Sequence, residues 1–137
     1  MKRIRRFVRS DGGNGMVEFA IVAGLVFIPI VFGIIEFGRI VWAKNMVTAA
    51  AREGVRYAIV HGSDSPSPAD SAAVATYVAG RTKLSPISVS TTWSDAGKDP
   101  LDSVTVTVRY NYTPVVKVPG LLTSKTVTGV SKQLVAF

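Results

Sequence analysis

Few residues in this 137-residue chain have types that could do chemistry. His61 is the only histidine, it lies in a turn beside Gly62, and there is no cysteine to pair with it. A lone histidine in a loop is far more often plain surface than catalytic. Ser63, Ser65, Ser67 and Ser71 stand among Gly and Pro, so they read as turn and linker residues rather than nucleophiles. Asp95, Asp99 and Asp102 share one loop and could supply oxygen ligands to calcium, although turns use aspartate routinely. The "GGNG" at 12–15 follows no strand, so it is no phosphate cradle. The expectation is a chain without catalytic residues, metal or cofactor, and therefore not an enzyme. One acid remains unexplained. Glu18, in "GGNGMVEFAIVAG", places a carboxylate at the leading edge of a long apolar run.

That run sets the organisation. Phe19 to Ile35 is 17 residues without a charge, about 25 Å as a helix at 1.5 Å per residue. Met16, Val17, Phe37 and their neighbours extend it to about 30 Å, the thickness of a hydrocarbon core. The reading is one transmembrane helix, with Phe19 and Ile35 near its ends. Pro29 falls inside it and predicts a kink that membrane helices tolerate. Lys2, Arg3, Arg5, Arg6 and Arg9 precede the span against Asp11 alone. Basic residues beside a span stay cytoplasmic, so the N-terminus is expected inside and the C-terminus in the periplasm or outside the cell. Residues 1–13 hold +4 of the net +7, and the other 124 residues hold only +3. The basic balance is thus a topology signal rather than a footprint for nucleic acid, and no nucleic-acid partner is expected.

The span does not end in a loop. From Glu36 to Val60 no proline interrupts the chain, and Phe37, Ile40, Val41, Val47, Ala51 and Val55 recur at three- and four-residue steps. The helix should continue as an amphipathic one. Ala50, Gly54 and Ala58 are four apart, a small-residue row that lets another helix approach closely or that packs against the chain's own C-terminal part. "HGSDSPSPAD" is a break. Ser67-Pro68 then reads as the start of a short helix, Ser67 as N-cap, which ends near Gly80. After Pro86 the period becomes two. "ISVSTTW", "SVTVTVRYNY" and "KTVTGVSKQLV" read as three strands, with Gly129 a candidate bulge and Leu121 and Leu122 in a proline-rich connection. The fold class expected is α+β: a long helix packed on one short helix and a three-stranded antiparallel sheet.

"GGNGMVEFAIV" followed by "FGIIEFGRIVWAKNMVTAAAREGVRYAIVHG" resembles the TadE-like proteins, minor pilins or pseudopilins of bacterial Tad (Flp, type IVb) pilus systems. "VTVTVRYNYTPVV" and the last strand resemble the C-terminal half of that family more weakly. The resemblance implies a basic leader removed by a prepilin peptidase, which cuts after a glycine and leaves a glutamate fifth in the mature chain. Glycines stand at 12, 13 and 15, and the family spacing selects the bond between Gly13 and Asn14. The implied division is a leader at 1–13, a transmembrane half-helix at 14–36, an amphipathic half at 37–60 and an extracytoplasmic domain at 61–137. Glu18, beside Phe19, would then act in assembly, pairing with the new terminal ammonium of Asn14 on the same or a neighbouring subunit. The implied partners are the inner membrane, the prepilin peptidase, the major pilin, other minor pilins and the pilus assembly platform, with adhesion or secretion as the output. Two other organisations fit the residues: a leader never cut, leaving a membrane-anchored scaffold, and an ordinary signal peptide cut after Ala43.

Overall fold

A computed structural model describes residues 11–115 and 123–135. Residues 1–10, which hold most of the basic leader, and Leu121 and Leu122 lie outside the described residues. The elements are α1 (Asp11–Ile59), α2 (Ser71–Arg81), β1 (Ile87–Trp93), β2 (Ser103–Tyr112) and β3 (Lys125–Leu134). The fold is α+β, with one long helix, one short helix and a three-stranded antiparallel sheet of order β1-β2-β3. The chain divides after Ile35 into two compact units.

In the first unit, α1 continues without a break through Pro29. Its large apolar side chains are all substantially exposed, from Val31 at 39% to Met16, Phe19 and Leu25 at 75%. This is one helix long and apolar enough to cross a membrane. Exposed apolar surface of that extent is stable in hydrocarbon and costly in water, by about 25 cal/mol per Å².

The second unit has its own core. Ala43, Val47, Ala50, Ala51, Gly54, Val55 and Ala58 form the buried face of α1. Phe37 and Val41, expected on this face, are exposed instead. The face that packs is the row of small residues, because the inward side chains of the sheet are already bulky. Val104, Val106, Val108 and Tyr112 alternate inward along β2, and Val127 and Gly129 do so on β3. Valine on the sheet packs against alanine and glycine on the helix. At Gly54 an added Cβ would lie 2.7 Å from Val78 Cγ2 and 3.0 Å from Val106 Cγ1.

Gly129 is not a bulge. The ladder runs unbroken through Arg109↔Thr128, Val108↔Gly129 and Thr107↔Val130. Glycine is required because the α1 backbone lies directly over β3: a Cβ there would fall 2.4 Å from the Val47 carbonyl oxygen. Lys44 reinforces the same contact by donating from Nζ to the Thr128 carbonyl.

The cap of α2 also differs from expectation. Asp70, not Ser67, is the N-cap, in extended backbone, and its Oδ1 accepts from Ala73 N at 2.7 Å. The preceding residues are tied back to the end of α1, where Ala69 N donates to the His61 carbonyl at 2.8 Å. That bond keeps Ser67-Pro68-Ala69 out of the helix. Val74 and Val78 of α2 are fully buried.

Candidate functional site

Glu36 follows directly on the apolar run and is 4% exposed, the one buried charged residue among those described. A buried carboxylate is tolerated only if it is paired and hydrogen-bonded, and Glu36 is both. Tyr112 donates its hydroxyl hydrogen to Glu36 Oε1. The backbone N–H of Val115 reaches the same oxygen at 3.3 Å, and Arg39 Nη1 reaches Oε2 at 3.4 Å. Arg39 also sits 5.4 Å above the Tyr112 ring, in cation–π range.

Each partner arrives for a local reason. Glu36 and Arg39 are three apart, so they share one side of α1. Tyr112 ends the inward row that begins at Val104, and Val115 follows two residues after Thr113 as β2 gives way to loop. The Tyr112 hydroxyl is held protonated. Burial, then the hydrogen bond to Glu36, pushes its pKa up to about 12, against the opposing pull of Arg39. With Tyr112 as donor, both carboxylate oxygens of Glu36 are engaged within the domain. The arrangement fastens the helix to the end of β2.

The other residues singled out by sequence are placed as follows. Gly13 and Asn14 lie in the backbone of α1. Glu18 and Phe19 are both exposed on that helix, and Glu18 lines a shallow hollow with Val17, Ile21 and Val22. Pro29 lies within the exposed apolar helix, and Ile35 is exposed at its end. Ala50, Gly54 and Ala58 lie in the core of the second unit, with Gly54 facing α2 and β2. The structure therefore brings the small-residue row together with the chain's own domain.

The loop acids brace their own turn. Asp95 Oδ1 accepts from Ala96 N, Asp99 Oδ1 from Ser63 Oγ, and Asp102 from Asp99 N and Ser94 Oγ. No group of three or more possible ligands gathers to hold a metal among the described residues. His61 Nδ1 lies 2.8 Å from the Tyr57 carbonyl, and its ring stacks on Tyr57 at 4.2 Å. Tyr57 stacks in turn on Tyr77 at 4.4 Å, so this histidine helps to fasten α1 to α2.

Sequence reasoning missed Glu36 as a site, although two signals were present. A carboxylate closing an apolar run needs a partner, and a buried tyrosine at the end of the inward row of β2 needs an acceptor for its hydroxyl.

Residues 13–56 match the family of TadE-like proteins. The TadE-like segment covers most of α1 and contains Glu18, Glu36, Arg39 and Gly54, while Tyr112 lies outside it. No curated protein and no solved structure matches the chain. The TadE-like match over residues 13–56 is consistent with a component of the Tad pilus machinery, and among the described residues the long apolar helix fits a membrane-anchored one.

Proposed function

We propose that this chain is a minor pilin or pseudopilin of a Tad (type IVb) pilus, cut by a prepilin peptidase between Gly13 and Asn14. The observation that carries the reading is where the TadE-like match begins. It starts at Gly13 and runs through Glu18, the fifth residue of a chain that begins at Asn14. Residues 1–13 are then the leader, with the N-terminus cytoplasmic. Residues 14–36 span the inner membrane, and 37–60 with 61–137 form the domain outside it. The major pilin, other minor pilins and the assembly platform are its partners, and pilus assembly, secretion or adhesion is the output.

Glu18 has a definite task in this scheme. When the helices leave lipid for a bundle, its carboxylate enters low dielectric and pairs with the Asn14 ammonium. Removing one partner of a desolvated pair strands the other, at about 3–5 kcal/mol, so the pair sets the axial register between subunits. The division of unit cores gives the small-residue row of Ala50, Gly54 and Ala58 an internal role, leaving the apolar half of α1 as the surface for neighbouring pilins.

The intact mass of the mature chain tests the proposal. Loss of 13 residues is the expected result. An unchanged mass means an uncut anchor, and loss of 43 residues means an ordinary signal peptide. That last cut falls within α1 at Ala43, a core residue 1% exposed, and would separate Glu36 from Tyr112.

A further inference from the structure

The sheet has a second face, turned away from the valine core; it is mostly polar, with Val130 and Leu134 of β3 exposed on it. Ser88, Ser90 and Thr92 of β1 and Thr105 and Thr107 of β2 point there in paired rows, with Thr126 and Thr128 of β3 beside Asn111 and Arg109. The three strands contain Arg109, Lys125 and Lys132 and no acid at all. Arg109 is exposed, and among the described residues its guanidinium has no carboxylate partner and donates no hydrogen bond.

Arg109 lines a cleft of about 300 Å³ together with Pro86, Ile87, Ser88, Asn111 and Thr126. That volume is at the small end of ligand pockets, which begin at about 300 Å³. The strand pairing builds it: Ser88 lies opposite Arg109 on β1, and Asn111 lies opposite Thr126 on β3. Thr126 Oγ1 donates to Asn111 Oδ1 at 2.9 Å. With its oxygen so engaged, the Asn111 amide presents its NH₂ as the free end. The cleft therefore offers a guanidinium fork and an amide donor, with the Ser88 hydroxyl beside them and no negative charge among the lining residues.

We propose that this cleft binds the carboxylates of an acidic polysaccharide built of uronate units. A planar fork of donors matches a planar carboxylate through two parallel hydrogen bonds. The flanking serine, threonine and asparagine suit the hydroxyls of a sugar ring. The rim carries no aromatic ring, so a neutral sugar lacks a stacking surface and a nucleic-acid base lacks a platform. Lys132 lies on the same face, opposite Thr105, and extends the positive potential along the sheet. The inference rests on the domain being outside the inner membrane, as the proposed function has it.

The test uses the full-length chain purified in detergent and passed over polygalacturonate, neutral dextran and double-stranded DNA matrices at 0.15 M salt on the order of physiological ionic strength. The wild-type chain should be retained on polygalacturonate alone. Arg109→Gln should abolish retention, and Arg109→Lys should weaken it about tenfold, because a point charge cannot form the two-pronged contact. Both variants alter an exposed residue and should unfold at the wild-type temperature. If either fails to fold, Asn111→Asp, which puts an acid in the cleft, should abolish retention in its place. Equal retention of wild type and Arg109→Lys, or equal retention on DNA or dextran, would overturn the proposal. Binding does not depend on cleavage: retention of the full-length chain together with an uncut mass for the mature chain in its own cells sinks the pilin reading and leaves the cleft standing.

Discussion

Replacing Tyr112 by phenylalanine removes one oxygen and isolates the role of the buried Glu36 contact. Glu36 keeps Val115 N and Arg39 but loses its hydroxyl donor. Removing a hydrogen bond to a buried charged group costs about 1–3 kcal/mol, so Tyr112→Phe should lower the unfolding free energy of the detergent-solubilised chain by about 2 kcal/mol. A second, independent signature follows from pH. Tyr112 is held protonated until about pH 12, against an ordinary value of 10.0. Its unfolded counterpart gives up the proton first as pH rises, so alkali favours the unfolded state. The contribution is fully present below pH 10 and is lost between 10 and about 12. Two pKa units correspond to about 3 kcal/mol at 1.36 kcal/mol per unit. Urea titrations at several pH values across that window should show wild type losing about that much more stability than Tyr112→Phe. The difference between the two proteins cancels the lysines and other groups that titrate in the same range. Absorbance at 295 nm gives a direct reading, since the component missing from Tyr112→Phe should have its midpoint near pH 12. Parallel stability profiles for the two proteins from neutral pH to pH 12, or a Tyr112 midpoint at the ordinary value, would refute the contact.

Three more outcomes are expected. Gly129→Ala places a Cβ 2.4 Å from the Val47 carbonyl oxygen, against backbone that cannot rotate away; overpacking of this kind costs about 1–3 kcal/mol, read as a lower midpoint in thermal unfolding followed by circular dichroism. Asp70→Ala removes the bond to Ala73 N and should cost about 1 kcal/mol, with Asp70→Ser restoring most of it in the same assay. Glu18→Ala should still be inserted and cut but be absent from sheared pili, and normal abundance there in immunoblots would remove the assembly role.

How far the fold was legible depends on which force decided each element. β2 could be read residue by residue, because Val104, Val106 and Val108 alternate with Thr and the core takes one face. The apolar span was equally plain, since nothing but lipid or protein can cover such a run. The buried face of α1 was only half legible. Large apolar residues pointed to Phe37 and Val41, but the space over a valine sheet admits Ala and Gly, and that is a property of the partner surface. Gly129 was misread for the same reason: its purpose is an approach by a helix some eighty residues earlier in the chain. Asp70 against Ser67 turned on one tertiary bond, Ala69 N to the His61 carbonyl, which local cap chemistry does not contain. The Glu36–Tyr112 pair joins residues 76 apart, and no spacing rule connects them. The Arg109 cleft is a matter of strand register, which fixes only when all three strands pair.

The core of the second unit has one more consequence. Its largest fully buried side chains are all valine: Val47, Val55, Val74, Val78, Val104, Val106 and Val108. Valine is stiff at χ1, with one strongly preferred rotamer on a helix and restricted choice on a strand. Such side chains surrender little freedom when they order. Sideways force on α1 would therefore meet a short-range, steep response from the sheet instead of a gradual yielding. The domain should behave as a stiff bracket, giving way all at once when the helix is pulled free.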